Sequence, residues 1–145
     1  MRSLSAFPLL AAPVLLYNLI AWGGGAVSGP QTVRAQMREI LFVLPMASDA
    51  QWEVTSGDLL ISFALVMLFF ELLKATSTGR DAIVNHALSL VIFVFCLVEF
   101  LLASAFATSV FFIITLMALL DVLAGFIVTI VSARRDIGVG EGFVD

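Results

Sequence analysis

Four apolar runs dominate the pattern of hydrophobic and polar positions along the chain, and polar or charged residues separate them. Each run has the length of a membrane-crossing helix, because a span needs about 20 apolar residues at about 1.5 Å of rise each. The pattern therefore predicts four transmembrane helices, at about residues 4–23, 58–75, 82–103 and 108–132. The last two are joined by a short uncharged link, so we expect them to be antiparallel neighbours.

The first apolar run contains two prolines, Pro8 and Pro13, which are predicted to bend its helix. An alternative for this run is a cleaved signal peptide, because Arg2 precedes it and the small residues at 26–28 resemble a cleavage site. We prefer a membrane span, since the run exceeds the roughly 7–15 residues that are usual for the apolar core of a signal.

Residues 26–57 form the one long polar region of the sequence. A short helix is predicted at 31–39, lying at the membrane interface with an apolar face toward lipid and a basic face toward water. The apolar face consists of Val33, Met37 and Ile40, and the basic face consists of Arg34 and Arg38.

After this helix the hydrophobic period changes to two, which is typical of a β-strand. Apolar residues alternate on both sides of a turn-like stretch at 47–50, so a two-stranded β-hairpin is predicted. The alternating positions are Phe42, Leu44 and Met46 before the turn and Trp52 and Val54 after it. An isolated hairpin is marginally stable, so we expect its apolar face to rest on the helix ends, with Trp52 as an anchor at the membrane interface.

Basic residues occur in three segments that alternate with the predicted spans. By the positive-inside rule these segments are cytoplasmic, whereas residues 26–57 and the link at 104–108 face outward. The basic residues are Arg2, Lys74 with Arg80, and Arg134 with Arg135. The last four are also expected to contact anionic lipid headgroups.

The predicted fold is an all-α membrane protein, an antiparallel bundle of four transmembrane helices with a small extracytoplasmic β-hairpin or interfacial segment between the first two. Both termini are expected in the cytoplasm, with a loose tail at 133–145.

Three carboxylates lie inside the predicted spans, where an ionised acid costs about 3 kcal/mol even on lenient insertion scales. Counting about 1.5 Å per residue places Glu71 one turn deep, Asp121 near the membrane centre and Glu99 close to the outer face. Because the three carboxylates lie at three separate levels, they cannot form a single metal site or a carboxylate pair within one chain.

We expect Glu71 to meet Lys74 and His86. The candidate partners at the other levels are Asn18, Ser89 or Cys96 for Asp121, and Tyr17, Asn18 or the outer water for Glu99.

Small and polar residues recur on one face of each of the last three predicted helices, at steps of three and four. Such stripes face protein, because small residues allow close approach and polar residues bond between helices. The stripes are Gly57, Leu60, Ala64, Met67, Glu71 and Ala75; Asn85, Ser89, Ile92, Cys96, Glu99 and Ala103; and Thr115, Ala118, Asp121, Gly125, Thr129 and Ser132.

The intramembrane polar residues allow two interpretations each. Asp121 is either a relay for protons or a hydrogen-bonded group that holds helices together. Glu71 with Lys74 and His86 is either an interfacial cluster that sets helix depth or a point of proton entry at His86. For Glu99 we expect a solvated or helix-capping role.

Composition excludes several classes of protein. The chain is 61% hydrophobic and 12% charged, about half the charged fraction of a soluble domain. A net charge of −4 without a basic run argues against nucleic acid. One cysteine and one histidine leave no internal disulfide, no metal site and no haem within a single chain. No catalytic motif occurs, so we expect neither an enzyme nor a bound cofactor.

Several segments resemble a group of small four-span bacterial inner-membrane proteins, and the resemblance covers most of the chain. They are Gly57-Asp58-Leu59-Leu60, residues 71–76, Asn85-His86-Ala87-Leu88-Ser89, Val98-Glu99-Phe100-Leu101 and residues 115–121. The resemblance implies a multi-pass protein of the bacterial inner membrane and no particular activity. Signatures of small multidrug transporters, fluoride channels and membrane glutathione transferases are absent from the sequence.

These observations favour a non-enzymatic accessory, assembly or structural subunit of a membrane complex, whose partners are membrane lipids and other membrane proteins or further copies of the chain. The alternative is a small proton- or cation-coupled channel or transporter that uses Asp121 as a relay, with Glu71 and His86 inside and Glu99 outside. A weaker alternative is a binder of lipid or quinone between the helices.

Overall fold

The computed structural model describes residues 7–75 and 80–139 of the 145-residue chain. Within these residues the chain forms five α-helices, one two-stranded antiparallel sheet and a short 3-10 turn. The helices are α1 (Ala11–Ser28), α2 (Pro30–Met37), α3 (Ser56–Ala75), α4 (Arg80–Leu102) and α5 (Ser109–Val139), the strands are β1 (Ile40–Pro45) and β2 (Gln51–Thr55), and the turn covers Ser104–Phe106. The mostly helical fold, the short helix α2 and the hairpin after it are as predicted.

Three of these helices are long and apolar enough to cross a membrane. They provide 19 residues at Ser56–Lys74, 19 at Val84–Leu102 and 23 at Ser109–Val131. Their length and composition indicate a membrane-embedded protein. The apolar part of α1, Ala11–Gly23, is shorter than these three segments, so the fourth span stays a prediction.

The prolines of the first apolar run start α1 rather than bend it. The Pro8 carbonyl accepts the Ala11 N–H at 3.1 Å in the turn before the helix. Pro13 lies in the first helical turn, where backbone N–H groups have no intrahelical acceptor. Neither ring therefore removes a hydrogen bond from the helix interior, and the predicted bend is wrong.

The last helix is longer than predicted, because α5 continues through Arg134 and Arg135 to Val139. The expected loose tail at 133–145 is therefore helical over its first half, and residues 140–145 lie outside the described residues. Arg2 and the predicted turn at 76–79 also lie outside them. Arg80, Arg134 and Arg135 belong to described helices, but their side chains lie outside the described part.

The helices define two ends, which we call the hairpin end and the Glu71 end. At the hairpin end the Tyr17 hydroxyl of α1 lies 2.7 Å from Thr108 Oγ1, just before α5. Gly57 at the start of α3 is so close to Met37 and Val110 that a Cβ atom there would lie 2.8 Å from the Met37 carbonyl oxygen. At the Glu71 end the Leu9 N–H donates to Glu71 at 2.6 Å. Helix α1 thus runs antiparallel to α3.

Aromatic rings fill the core at the hairpin end. Tyr17, Phe106 and Phe111 are fully buried, and the ring centroid of Phe111 lies 4.7 Å from that of Tyr17 and 4.8 Å from that of Phe106. Val33 and Met37 of α2 belong to the same core. The prediction that these two residues face lipid is therefore wrong, because α2 packs against α1, α3 and the 3-10 turn instead.

The hairpin pairs as the alternation predicts. Leu44 lies opposite Trp52 and Phe42 opposite Val54, so these four side chains share one face of the sheet. The Met46 N–H donates to the Ala50 carbonyl at 2.8 Å, so the loop consists of the three residues 47–49. Its last residue, Asp49, has φ 62°, the left-handed conformation that closes such a loop and that Asp tolerates better than most residues.

A reciprocal cap joins β2 to α3. The Asp58 N–H donates to Thr55 Oγ1 at 3.2 Å, and the Thr55 N–H donates to Asp58 Oδ2 at 2.9 Å. Thr55 is therefore the N-cap and Asp58 the third helical residue, as in a capping box.

Candidate functional site

The polar stripes predicted on the three long apolar helices lie largely on buried faces. Glu71 on α3 is fully buried, Asn85, Ser89 and Glu99 on α4 are 2%, 3% and 7% exposed, and Asp121 on α5 is 1% exposed. The Phe- and Leu-rich faces of the same helices are exposed. The distinction between a protein-facing stripe and an outward apolar face was therefore predicted correctly.

Glu71 is saturated with hydrogen-bond donors. Its Oε2 atom accepts the Leu9 N–H at 2.6 Å, and its Oε1 atom accepts the amide Nδ2 of Asn85. Lys74 Nζ lies 3.1 Å from Oε1 and also donates to the Phe7 carbonyl at 2.7 Å. The predicted contact with Lys74 is confirmed, and the ammonium group has protein partners in addition to any lipid headgroup.

His86 is not the partner of Glu71 that the sequence predicted, because the adjacent residue Asn85 takes that position. Consecutive helical residues point about 100° apart, so Asn85 faces α3 while His86 faces α5. There the imidazole lies directly against Gly125, where a Cβ atom would collide with the ring. Both ring nitrogens are buried and have no hydrogen-bond partner among the described residues.

An apolar cleft of about 330 Å³ lies beside this imidazole, between α4 and α5. It is lined by His86, Ala87, Leu90, Val122, Gly125, Phe126 and Thr129. Thr129, which the stripe on α5 predicted to be buried, is exposed, and its hydroxyl donates to the Gly125 carbonyl one turn earlier at 2.9 Å.

Asp121 is one of several polar groups in the described part of the chain that lack hydrogen-bond partners. It is almost fully buried, and neither carboxylate oxygen has a hydrogen-bond partner there. Ser89 lies beside it, and the Ser89 hydroxyl also lacks a partner. Glu71, His86 and Lys74 are within electrostatic range.

These contacts revise the sequence-based placement of Asp121. The structure couples it electrostatically to Glu71, whereas counting residues separated the two acids by level. Of the three predicted partners Ser89 is its neighbour. Asn18 is bound to another carboxylate, and Cys96 is buried in the apolar core. No group of three or more His, Cys, Asp or Glu side chains that could hold a metal ion occurs among the described residues.

Glu99 forms a second, separate polar contact toward the hairpin end. Asn18 Nδ2 donates to Glu99 Oε2 at 3.1 Å, and Asn18 Oδ1 accepts the Trp22 Nε1–H at 3.1 Å. The predicted contact with Asn18 is confirmed. The solvated role expected for Glu99 is wrong, because α1 covers this carboxylate.

The hairpin presents an apolar surface that nothing in the described chain covers. Seven apolar side chains are between 42% and 51% exposed; they are Ile40, Leu41, Phe42, Val43, Leu44, Met46 and Trp52, and we call them the hairpin surface. Only Val54, at the base of the hairpin, is buried. The prediction that the apolar face rests on the helix ends is therefore wrong beyond that base.

Comparison of the chain with models of protein families, with curated proteins and with solved structures finds no match.

Proposed function

We propose that this chain is a non-enzymatic multi-pass protein of the bacterial inner membrane that serves as an accessory or assembly subunit of a membrane complex. The observation that carries the proposal is the hairpin surface, which exposes seven apolar side chains. Its partner is an extracytoplasmic segment of another membrane protein.

Protein is a better cover for this surface than water. A lone two-stranded hairpin is marginally stable, and contiguous exposed apolar patches mark interaction sites. Strand β1 has the sequence ILFVLP without a charged residue and pairs with a neighbour along only one edge in the described chain. An exposed strand edge without charged residues can pair with a strand of another chain. Addition of a partner strand to β1 supplies main-chain hydrogen bonds together with apolar contacts.

The proposed topology is an antiparallel bundle of four spans in which α1 is the fourth. Support comes from the contacts of α1 at both ends of the bundle, with Leu9 bonded to Glu71 at one end and Tyr17 to Thr108 at the other. The basic residues of the chain then orient the Glu71 end and both termini toward the cytoplasm, and the hairpin outward.

A photo-crosslinking amino acid at Leu44 tests the partner. In intact cells we expect an adduct of one reproducible mass from position 44, and none from Leu65, which is equally outward-facing but lies on the apolar face of α3. Phe42→Asp should remove the adduct and the larger species in native detergent extracts, while the amount of protein in the membrane is unchanged.

Gln51→Lys is the matched control, because Gln51 is an exposed polar residue of the same hairpin on the face opposite to Phe42, Leu44 and Trp52. It should leave the complex intact. A wild-type protein that purifies as a monomer, with position 44 crosslinking to lipid alone, would contradict the proposal.

A second candidate function is binding of a lipid or quinone, and the cleft between α4 and α5 favours it. Its volume of about 330 Å³ and largely apolar lining suit a ring or an acyl chain beside His86. Native mass spectrometry should then detect a bound lipid-soluble molecule that is lost in Ala87→Phe, which fills the cleft, and retained in Leu65→Phe. Equal occupancy in both variants would exclude the cleft as the site.

A further inference from the structure

Four buried oxygen atoms near the Glu71 end have no hydrogen-bond partner among the residues that the structure describes. They are Asn85 Oδ1, Ser89 Oγ and both carboxylate oxygens of Asp121. Asn85 and Ser89 lie one turn apart on the buried face of α4, and Asp121 lies beside Ser89 on α5. Buried polar atoms in native proteins are almost always paired, so this group is incomplete as it stands.

The charges of the same region indicate which kind of ion binds to these oxygens. Glu71 and Asp121 carry two negative charges when ionised, and Lys74 carries one positive charge. Among the described side chains of this region, one negative charge is left over where the surroundings are apolar. A single added proton neutralises the region, whereas a divalent metal ion would leave it positive and would find no third His, Cys, Asp or Glu ligand among the described residues.

One proton also adds a second hydrogen-bond donor to these four oxygen atoms, of which only the Ser89 hydroxyl is a donor otherwise. A carboxyl group at Asp121 becomes a donor to Ser89 Oγ. The Ser89 hydroxyl hydrogen is then available for Asn85 Oδ1, and Asn85 Nδ2 already donates to Glu71. Of the four oxygens, only the carbonyl oxygen of Asp121 is then left without a hydrogen-bond partner.

The groups that face Asp121 differ in their capacity to take its proton. They are Glu71 and Lys74 from α3 and His86 from α4. Glu71 already accepts three donors, and Lys74 is a protonated donor. The two ring nitrogens of His86 have no partner among the described residues, and an imidazole nitrogen without a hydrogen can accept a proton.

We propose that Asp121 is an exchangeable proton-binding site within the membrane, with Ser89 as its hydrogen-bond acceptor and His86 as the base that receives the proton on release. In the release step the O–H bond of Asp121 breaks and an N–H bond forms on the imidazole, which leaves a carboxylate beside an imidazolium. The site does not depend on the hairpin or its partner, and it fits the proton-coupled alternative that the sequence suggests.

Infrared spectroscopy of the full-length protein in lipid vesicles tests this site. We expect a protonated-carboxyl band that declines as pH is raised, shifts in D2O and is lost in Asp121→Asn. Glu99→Gln is the matched control, because Glu99 is a second buried carboxylate with its own partner Asn18, and it should leave the band unchanged. His86→Phe should retain the band but slow its exchange in D2O.

Isotope labelling keeps the test valid if Asp121→Asn does not fold. In the wild-type protein, carboxyl-labelled aspartate should shift the band, whereas labelled glutamate should not. A band that persists in Asp121→Asn, a band that moves only with the glutamate label, or a spectrum that responds to sodium at fixed pH and not to pH itself would each overturn the proposal.

Discussion

Within the described residues, the helix interior buries polar atoms that have no partner, whereas the hairpin exposes apolar side chains that have no cover. The unpaired interior atoms include those of Ser89 and Asp121, two residues that are at most 3% exposed. In the hairpin five of the seven uncovered side chains belong to β1, and the second edge of this strand pairs with no strand of the described chain. The difference underlies the two proposals above: we propose that one proton completes the interior, and that a segment of a second protein covers the hairpin.

The largest expected contrast is between carboxylates in the two regions. Glu71→Ala removes the acceptor of the Leu9 N–H and the Asn85 amide and the carboxylate that pairs with Lys74, and should lower the free energy of unfolding by about 3–5 kcal/mol. Glu53→Ala, in the exposed part of the hairpin, should change it by less than about 0.5 kcal/mol. Reversible unfolding in mixed micelles, followed by circular dichroism, measures both. Equal effects would remove the contrast.

Phenylalanines provide the same comparison for apolar contacts. Phe111→Ala opens a cavity between Tyr17 and Phe106 and should cost about 3 kcal/mol, the low end for a buried aromatic ring because lipid is itself apolar. Phe42→Ala should cost less than about 0.5 kcal/mol in the isolated protein. A large cost at Phe42 would mean that the hairpin surface is covered by this chain itself.

Two glycine substitutions test how tightly the helix interior is packed. A Cβ at Gly125 collides with the His86 ring, so Gly125→Ala should cost about 1–3 kcal/mol through overpacking. At Gly23 on α1 a Cβ would meet nothing within 4 Å, and Gly23→Ala should be neutral or stabilising by up to about 1 kcal/mol. The same unfolding assay checks both, and a stabilised Gly125→Ala protein would show that the ring has room to move.

The smallest effect is expected at the boundary between the two regions. Thr55→Ala removes the side-chain cap of α3 and should cost about 1 kcal/mol. Ser62→Ala, an exposed hydroxyl within the same helix, is the control and should be nearly neutral. Amide hydrogen exchange of residues 56–59 should accelerate only in Thr55→Ala, and unchanged protection there would show that the cap is dispensable.

The hairpin and the buried stripes were predictable because each depends on local spacing. A period of two on both sides of a short turn is specific to paired strands. The stripe through Asn85, Ser89 and Glu99 follows steps of three and four, and these steps select the face of α4 that becomes buried.

The partners of the polar groups were less predictable, because counting residues gives height along a helix and not direction around it. Asn85 and His86 have nearly the same height, yet Asn85 binds Glu71 and His86 lies against Gly125. The spacing of Asn85 from Ser89, four residues on the stripe, was the available signal for the correct choice.

The burial of α2 shows a further limit of sequence patterns. Amphipathicity identifies the apolar face of a short helix, but lipid and protein are both apolar covers. Val33 and Met37 were therefore assigned to the correct face and to the wrong neighbour. The end of α5 was misplaced for a related reason, since the arginines at 134 and 135 mark a polar boundary without interrupting a helix.

The junction between the hairpin and α3 has no linker. Strand β2 ends at Thr55, the helix begins at Ser56, and the Ser56 N–H also donates to the Glu39 carbonyl at 3.0 Å at the start of β1. Hairpin and helix therefore form one stiff lever, and Glu71 is about 22 Å from its pivot at 1.5 Å per residue. A tilt of about 5° carries Glu71 by about 2 Å, beyond the tolerance of its hydrogen bonds. A displacement of the hairpin is thereby transmitted along α3 to the carboxylate near the other end of the helix.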